Sequence, residues 1–240
     1  MSSDQGTIEY LTAFLINESE IKQLLADTHQ EEYRIEGTED AIVLSLIGNK
    51  ESRRRIRERF AAKLDAVFFC EENVTPAERL VRVLDRRGMR ICTAESCTGG
   101  LIAARITDVP GSSRVFWGGF VVYDNAAKQQ MLGVRGVEEF GAVSAEVVTE
   151  MATQAVEKSG ANVSIAVSGI AGPGGGTTEK PVGTVHIGIG RSGRPTRAYK
   201  IHVPGDRERV RRRTSLACLI LATGEVLEKN IDTSMLSNYI

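Results

Sequence analysis

The chain has 240 residues, 42% of them hydrophobic, 25% charged and 5% aromatic, with a formal net charge of −1. That much apolar residue excludes a disordered chain, and 24 glycines with four cysteines exclude collagen-like and disulfide-framework proteins. The near-neutral total conceals an acidic front, 10 Lys and Arg against 16 Asp and Glu in residues 1–80, and a basic remainder, 20 against 15 in residues 81–240; charge alone fits an anionic ligand on the basic part and two solvated surfaces of opposite sign equally well.

The opening residues, MSSDQGTIEY, show no basic stretch leading into an apolar run, and no segment approaches the ~20 apolar residues of a membrane span. Cys70, Cys92, Cys97 and Cys218 are scattered without a CxxC pair, so reduced thiols, no metal site and a cytoplasmic setting are expected.

Residues 1–74 read as a small α+β accessory domain. SEIKQLLADT, 19–28, is a helix with Ser19 as N-cap and Ile21, Leu24 and Leu25 at helical spacing. Tyr33–Gly37 and Ala41–Ile47 are two strands joined by Thr38, Glu39 and Asp40, a hairpin-like signal. KESRRRIRERFAAKLD, 50–65, is a helix with an apolar stripe of Ile56, Phe60 and Leu64. Its arginines, Arg53, Arg54, Arg55, Arg57 and Arg59, are diluted by Glu51 and Glu58 and have no interleaved aromatics, which favours a solvated face over RNA binding.

A boundary near Asn73 precedes a helix start in which Thr75 is the N-cap, Pro76 the first helical residue and Glu78 the capping-box acid; Gly88 stops the helix. Strands and helices then alternate: strand Arg90–Ala94, helix Gly99–Ile106, strand Val115–Tyr123 and helix Ala126–Leu132. Ser144 caps a helix to Ser159 that turns Val147, Val148, Met151, Ala152 and Ala155 inward. Val163–Ser168, Val182–Gly190 and Arg197–Val203 are strands, the last two joined by a turn holding Gly193 and Pro195. Asp206 caps a closing helix through Lys229. This alternation gives a layered α/β domain over residues 75–240.

Four segments carry candidate chemistry. In TAESCTGGLIAARI, 93–106, Ser96, Cys97 and Thr98 fall at a helix N-terminus, where N–H groups stabilise an anion; Ser96 is a candidate nucleophile, and Ser96 or Thr98 is equally well a cap. Cys97 is the rival nucleophile, ranked lower because no histidine base is near. In PGSSRVFWGGFVVYDNAAK, 110–128, Tyr123 or a desolvated Lys128 is the natural activator of a serine, although spacing alone favours a packing tyrosine and a solvated lysine. The loop SGIAGPGGGTTEKPVGTV, 168–185, is a sharp turn or a phosphate cradle, and is neither a Walker A nor a dinucleotide fingerprint. GDRERVRRR, 205–213, offers arginines to a phosphate, with solvated charge as the plain alternative.

Taken together, AESCTGG, PGSSRVFWGGFVVYDNAAK, GAVSAE, SGIAGPGGG, KPVGTVHIG and PGDRERVR resemble the C-terminal domain of the CinA family, the nicotinamide-nucleotide amidases, over about residues 75–228. The resemblance implies hydrolysis of nicotinamide mononucleotide to nicotinic acid mononucleotide and ammonia. It implies Ser96, Tyr123 and Lys128 as catalytic residues, and a pyridine-mononucleotide site formed by Thr98, Gly99 and the Ser168–Gly176 loop, with Ser168, Gly169, Gly172 and Gly175. The phosphate-side arginine maps onto Arg207 or Arg211. No metal or cofactor, no membrane and no nucleic acid is expected, and the family likeness implies a homodimer. Ser168 stands where the family usually has Thr, and Asp124, usually Ser, adds a charge beside Tyr123. Residues 1–74 faintly resemble the middle domain of full-length CinA proteins; no counterpart of their pyrophosphatase domain is present, so no such activity is expected. The alternative function is a pyridine-nucleotide-binding regulatory module without turnover.

Overall fold

Strand and helix formers at the front of the chain assemble into an antiparallel sheet of order β2-β3-β1-β4, in a computed structural model that describes residues 9–16, 18–38, 41–64, 68–229 and 231. The strands are Glu9–Phe14 (β1), Tyr33–Gly37 (β2), Ala41–Leu46 (β3) and Phe69–Cys70 (β4). Two helices accompany them, Glu18–Leu24 (α1) and Lys50–Lys63 (α2). Leu11 and Ala13 of β1, Leu44 and Leu46 of β3, Ile21 of α1 and the Ile56, Phe60 and Leu64 stripe of α2 form one core. Ser19 lies inside α1 rather than capping it. The Asn49 side chain caps α2 by accepting from Ser52 N. Glu39 and Asp40 of the expected hairpin turn lie outside the described residues, whereas the Thr38 hydroxyl bonds both N–H and C=O of Ala41. The arginines of α2 are paired with carboxylates: Arg53 and Arg57 with Glu9, Arg54 with Glu51 and Glu58, Arg55 with Glu32, Arg59 with Asp27.

The chain divides into two units between Pro76 and Ala77. Pro76 opens α3 (Pro76–Arg86), the position where its missing N–H costs nothing. The second unit is built on a five-stranded sheet of order β6-β5-β7-β8-β9. These strands are Ile91–Glu95 (β5), Phe116–Val121 (β6), Val163–Gly169 (β7), Thr184–Arg191 (β8) and Arg194–His202 (β9). β6, β5 and β7 are parallel, while β8 and β9 continue the sheet antiparallel. Pro195 belongs to β9 and not to the turn before it. That placement is tolerated because β9 is an edge strand and Pro195 falls where its register with β8 shifts, between the pairs Arg191–Arg194 and Ile189–Arg197.

Residue alternation decides which helix each face receives. Cys92, Ala94 and Ala166 share a cluster with Val147, Met151, Ala152 and Ala155 of α7 (Ala145–Ser159). α7 is capped by the Ser144 side chain, which accepts from Val147 N. The helix lies close because small residues meet it: a Cβ at Gly190 would stand 2.9 Å from the Ala152 carbonyl oxygen. α4 (Leu101–Thr107) and α8 (Arg207–Val226) pack with one another and on the sheet. The mixed α/β class expected from the alternating pattern is the architecture found. Among the described residues no helix is long and apolar enough to cross a membrane.

Candidate active site

Three neighbouring parallel strands, β6, β5 and β7, end together. The ladder runs one residue beyond them, with Val122 N donating to Glu95 O at 2.8 Å and Ser96 N to Val167 O at 3.0 Å. Tyr123, Ser96 and Ser168 therefore emerge in adjacent positions at the carboxyl edge of the sheet, where open α/β folds bind their ligands.

The turn after β5 departs from expectation. Gly99 and Gly100 have φ of +58° and +92°, a conformation that a side-chain-bearing residue resists. They fold the chain back over Glu95, which is fully buried. Its carboxylate accepts from Gly100 N at 3.0 Å, Ile102 N at 3.1 Å and Ala103 N at 2.8 Å. The helix thus starts at Leu101, not Gly99, and its leading N–H groups are occupied by the chain's own carboxylate. Gly99 N–H is also engaged, to Ser96 O at 3.1 Å. Cys97 N–H faces its own sulfur, and Thr98 N–H and the fully buried Thr98 hydroxyl find no acceptor among the described residues. Nothing in the sequence reading marked Glu95, because its partners are backbone groups presented only by this turn.

Lys128 is 1% exposed. It opens a π-helical turn, Lys128–Leu132, that follows the single-turn α5 (Asn125–Ala127) where one continuous helix was expected. Asp124 caps this segment by accepting from Ala126 N. Lys128 Nζ donates to Tyr123 O at 3.2 Å and to Asn125 Oδ1 at 3.4 Å. Burial lowers its pKa from the ordinary 10.5, against the opposing pull of Asp124 and Cys97. These two acceptors engage both N–H groups of the neutral amine, or two of the three of the ammonium, so in either state one position on Nζ is left for a further partner. Cys97 lies within electrostatic reach of Lys128, yet burial pushes its thiol up to about 12. At neutral pH it is a thiol, not a thiolate, so it is a poor nucleophile beside Ser96.

The third strand end leads into the glycine loop. The Ser168 hydroxyl donates to Ala142 O at 2.7 Å, tying β7 to the approach of α7. Gly169 is required by packing, since a Cβ there would lie 2.7 Å from Val185 Cγ2. Gly172 and Gly175 carry positive φ, +80° and +85°. From α8, Arg207 Nη1 donates to Gly172 O at 3.1 Å and Nη2 to the Tyr123 hydroxyl at 3.0 Å. Arg211 Nη2 donates to Thr98 O at 2.8 Å. A cleft of about 520 Å³ lies along this arginine side, lined by Leu101, Arg207, Glu208, Arg211 and Arg212. Its volume falls within the roughly 300–1,000 Å³ of small-molecule clefts. Ser96 and Lys128 do not line it. The structure thus brings Ser96, Tyr123 and Lys128 to one sheet edge and gives Ser168 and Gly169 structural duties. Asn125 and Asp124 enter as neighbours of Lys128; Asp124 was legible as a cap residue two positions before Ala126, Asn125 was not.

The sequence pattern describing the CinA C-terminal domain matches residues 73–225. A CinA-like protein of Geotalea uraniireducens (strain Rf4) is 42% identical over 210 residues, covering 86% of this chain and 46% of the relative. A CinA-like protein of Akkermansia muciniphila is 41% identical over 214 residues, covering 85% and 51%. The chain therefore spans about half the length of these curated relatives. Among solved structures, competence damage-inducible protein A from Klebsiella pneumoniae superposes with a TM-score of 0.62 at 32% identity, covering 65% of this chain and 97% of that one. The competence/damage inducible protein from Agrobacterium tumefaciens superposes with a TM-score of 0.57 at 40% identity, covering 66% and 98%.

Proposed function

This chain belongs to the CinA C-terminal domain family, and on that premise we propose that it hydrolyses the carboxamide of nicotinamide mononucleotide to nicotinic acid mononucleotide and ammonia, with Ser96 as nucleophile. The observation that carries this reading is the buried Lys128, its pKa lowered and its amine met by two acceptors near the Ser96–Cys97 turn. A neutral amine so held takes the Ser96 proton as the hydroxyl oxygen bonds to the carboxamide carbon. The carbonyl oxygen gathers the displaced electron pair, and the N–H groups of Cys97 and Thr98 are its donors. Collapse breaks the C–N bond, and ammonia leaves with a proton returned by Lys128 or Tyr123. Water then attacks the acyl-serine, releasing the carboxylic acid and restoring Ser96. Arg211, which lines the 520 Å³ cleft, is the arginine assigned to the phosphate, with the Gly172–Gly176 loop as its partner in binding the nucleotide. The reading places the enzyme in the cytoplasm, acting on a small pyridine mononucleotide, as a homodimer; four free cysteines are in keeping with a reducing compartment.

Ammonia release from nicotinamide mononucleotide tests the proposal. Ser96→Ala is expected to lower the rate at least about 1,000-fold, in line with losses of activated nucleophiles. A variant as fast as wild type refutes the nucleophile. A wild-type chain that binds the nucleotide by calorimetry and releases no ammonia is instead the regulatory module without turnover.

A further inference from the structure

Arg207 opens α8, and its guanidinium is divided between two partners from distant parts of the chain: Nη1 to the Gly172 carbonyl and Nη2 to the Tyr123 hydroxyl. Both interactions have ordinary lengths, 3.1 and 3.0 Å. Gly172, at positive φ, directs its carbonyl from the glycine loop, and Asp206 fixes the start of the helix by accepting from Arg209 N at 2.8 Å. The arginine is therefore braced on both sides. Tyr123 is not: it is 57% exposed, and Arg207 Nη2 is what fixes its hydroxyl.

The direction of that hydrogen bond is fixed by chemistry. A guanidinium has five N–H donors and no acceptor, so the phenol oxygen can only accept from it. One lone pair of Tyr123 is consumed, and its own O–H must point elsewhere. We infer that Arg207 is a positioning residue for Tyr123, turning the tyrosine into the proton donor of the reaction and leaving Lys128 as the base. This rests on the amidase reading above. Lys128 complements it, because its two acceptors, Tyr123 O and Asn125 Oδ1, leave a lone pair for the Ser96 proton. The protons then balance. Lys128 takes one from Ser96 during attack, and Tyr123 gives one to the departing nitrogen as the C–N bond breaks. Lys128 passes the proton it took from Ser96 to the phenolate, which the Arg207 charge holds until then; the neutral amine next takes a proton from the water attacking the acyl-serine and gives it to the Ser96 oxygen as the acyl–oxygen bond breaks.

The test is a kinetic cycle on the full chain with wild type, Arg207→Met, Tyr123→Phe and the double variant, measured as ammonia release from nicotinamide mononucleotide. Tyr123→Phe is expected to lower kcat about 100-fold, the lower range for a general acid. Arg207→Met should lower kcat about 10-fold with KM changed less than about threefold, and the double variant should be no slower than Tyr123→Phe alone. Arg207→Lys, still able to donate to the phenol, should recover part of the loss. An Arg207→Met effect that falls on KM, or persists in full when Tyr123 is already Phe, overturns the inference and makes Arg207 a substrate ligand. A readout independent of turnover separates this from failure of the amidase reading. With 3-fluorotyrosine in the five tyrosine positions, the fluorine resonance that vanishes in Tyr123→Phe should shift in Arg207→Met and stay in place in Arg211→Met. An unmoved resonance overturns the contact itself, whereas a wild-type chain without ammonia release in which the resonance does shift sinks the amidase reading and the donor role with it while leaving the contact standing.

Discussion

Replacing Glu95 by alanine removes a fully buried carboxylate that serves three backbone donors, Gly100 N, Ile102 N and Ala103 N, at 3.0, 3.1 and 2.8 Å. Hydrogen bonds to a charged acceptor each contribute about 1.5–3 kcal/mol net, and a stranded buried N–H costs a comparable amount. Water entering the vacated space offsets part of this, so the lower end applies and the expected loss is about 4 kcal/mol. That is a large share of the ~5–15 kcal/mol of a typical domain. Glu95→Gln separates charge from shape. Its amide oxygen can still serve Gly100 and Ile102, but its NH2 faces the Ala103 N–H, donor against donor, for a cost of about 2 kcal/mol. The assay is built into the chain, because the single tryptophan, Trp117, lies on β6 beside the strand that carries Glu95. Its fluorescence in urea reports the second unit. At a slope of about 2 kcal/mol per molar, the alanine variant should unfold ~2 M earlier and the glutamine variant ~1 M earlier. An alanine midpoint within about 0.3 M of wild type would refute the claim that Glu95 holds the turn.

Four further outcomes follow from the same geometry. Activity should rise with pH as Lys128 loses its proton, below the ordinary 10.5 of a lysine; Lys128→Arg, permanently charged, should fall at least about 100-fold at every pH. Because the folded chain holds that proton less tightly than the unfolded one, wild-type stability should increase as pH climbs toward 10.5, and urea midpoints of Lys128→Met should lack this slope. Cys97, its thiol near 12 and 5% exposed, should resist iodoacetamide at pH 8 in the folded protein and react once urea is added, read by peptide mass spectrometry; rapid labelling of the native chain would contradict the burial. Gly172→Ala meets a φ of +80° and would place its Cβ 2.6 Å from Val182 Cγ1, so a loss of about 1–3 kcal/mol in thermal unfolding and slower ammonia release are expected; unchanged melting would mean the loop relaxes freely.

Features written in local rules were readable from the sequence. Ser144 with its inward Val147, Val148, Met151, Ala152 and Ala155 defines α7 by capping and spacing alone, and all five side chains are fully buried. Asp206 at the head of α8 and Ile56, Phe60 and Leu64 on α2 are legible for the same reason. The two-residue β4 carries no period to detect, and it exists through pairing with Thr12 and Ala13 of β1. Pro195 reads as a turn residue until the sheet order places it on an edge. At the site, Ser96, Tyr123 and Lys128 came from motif and resemblance, while Glu95 was silent. A glutamate at the end of a strand looks like any charged boundary residue. Its role depends on two left-handed glycines that bring three N–H groups onto it. The π-helical step at Lys128 was hidden likewise, because amide-bond register follows from tertiary packing more than from propensity.

The internal carboxylate at the head of α4 also has a consequence for how a charged molecule would approach. With the leading N–H groups of that helix already facing an anion of the chain's own, its positive end is cancelled within a few ångströms and adds little to the field outside. What an arriving anion senses is the side-chain charge of α8, where Arg207, Arg211 and Arg212 stand against a single Glu208 along the cleft. Charge of this kind, exposed at Arg207 and half-buried at Arg211 and Arg212, is screened over about 8–10 Å in ordinary buffer. Added salt should therefore slow capture and leave the bond-breaking steps untouched, so that ionic strength becomes a means of pulling arrival and chemistry apart in the kinetics.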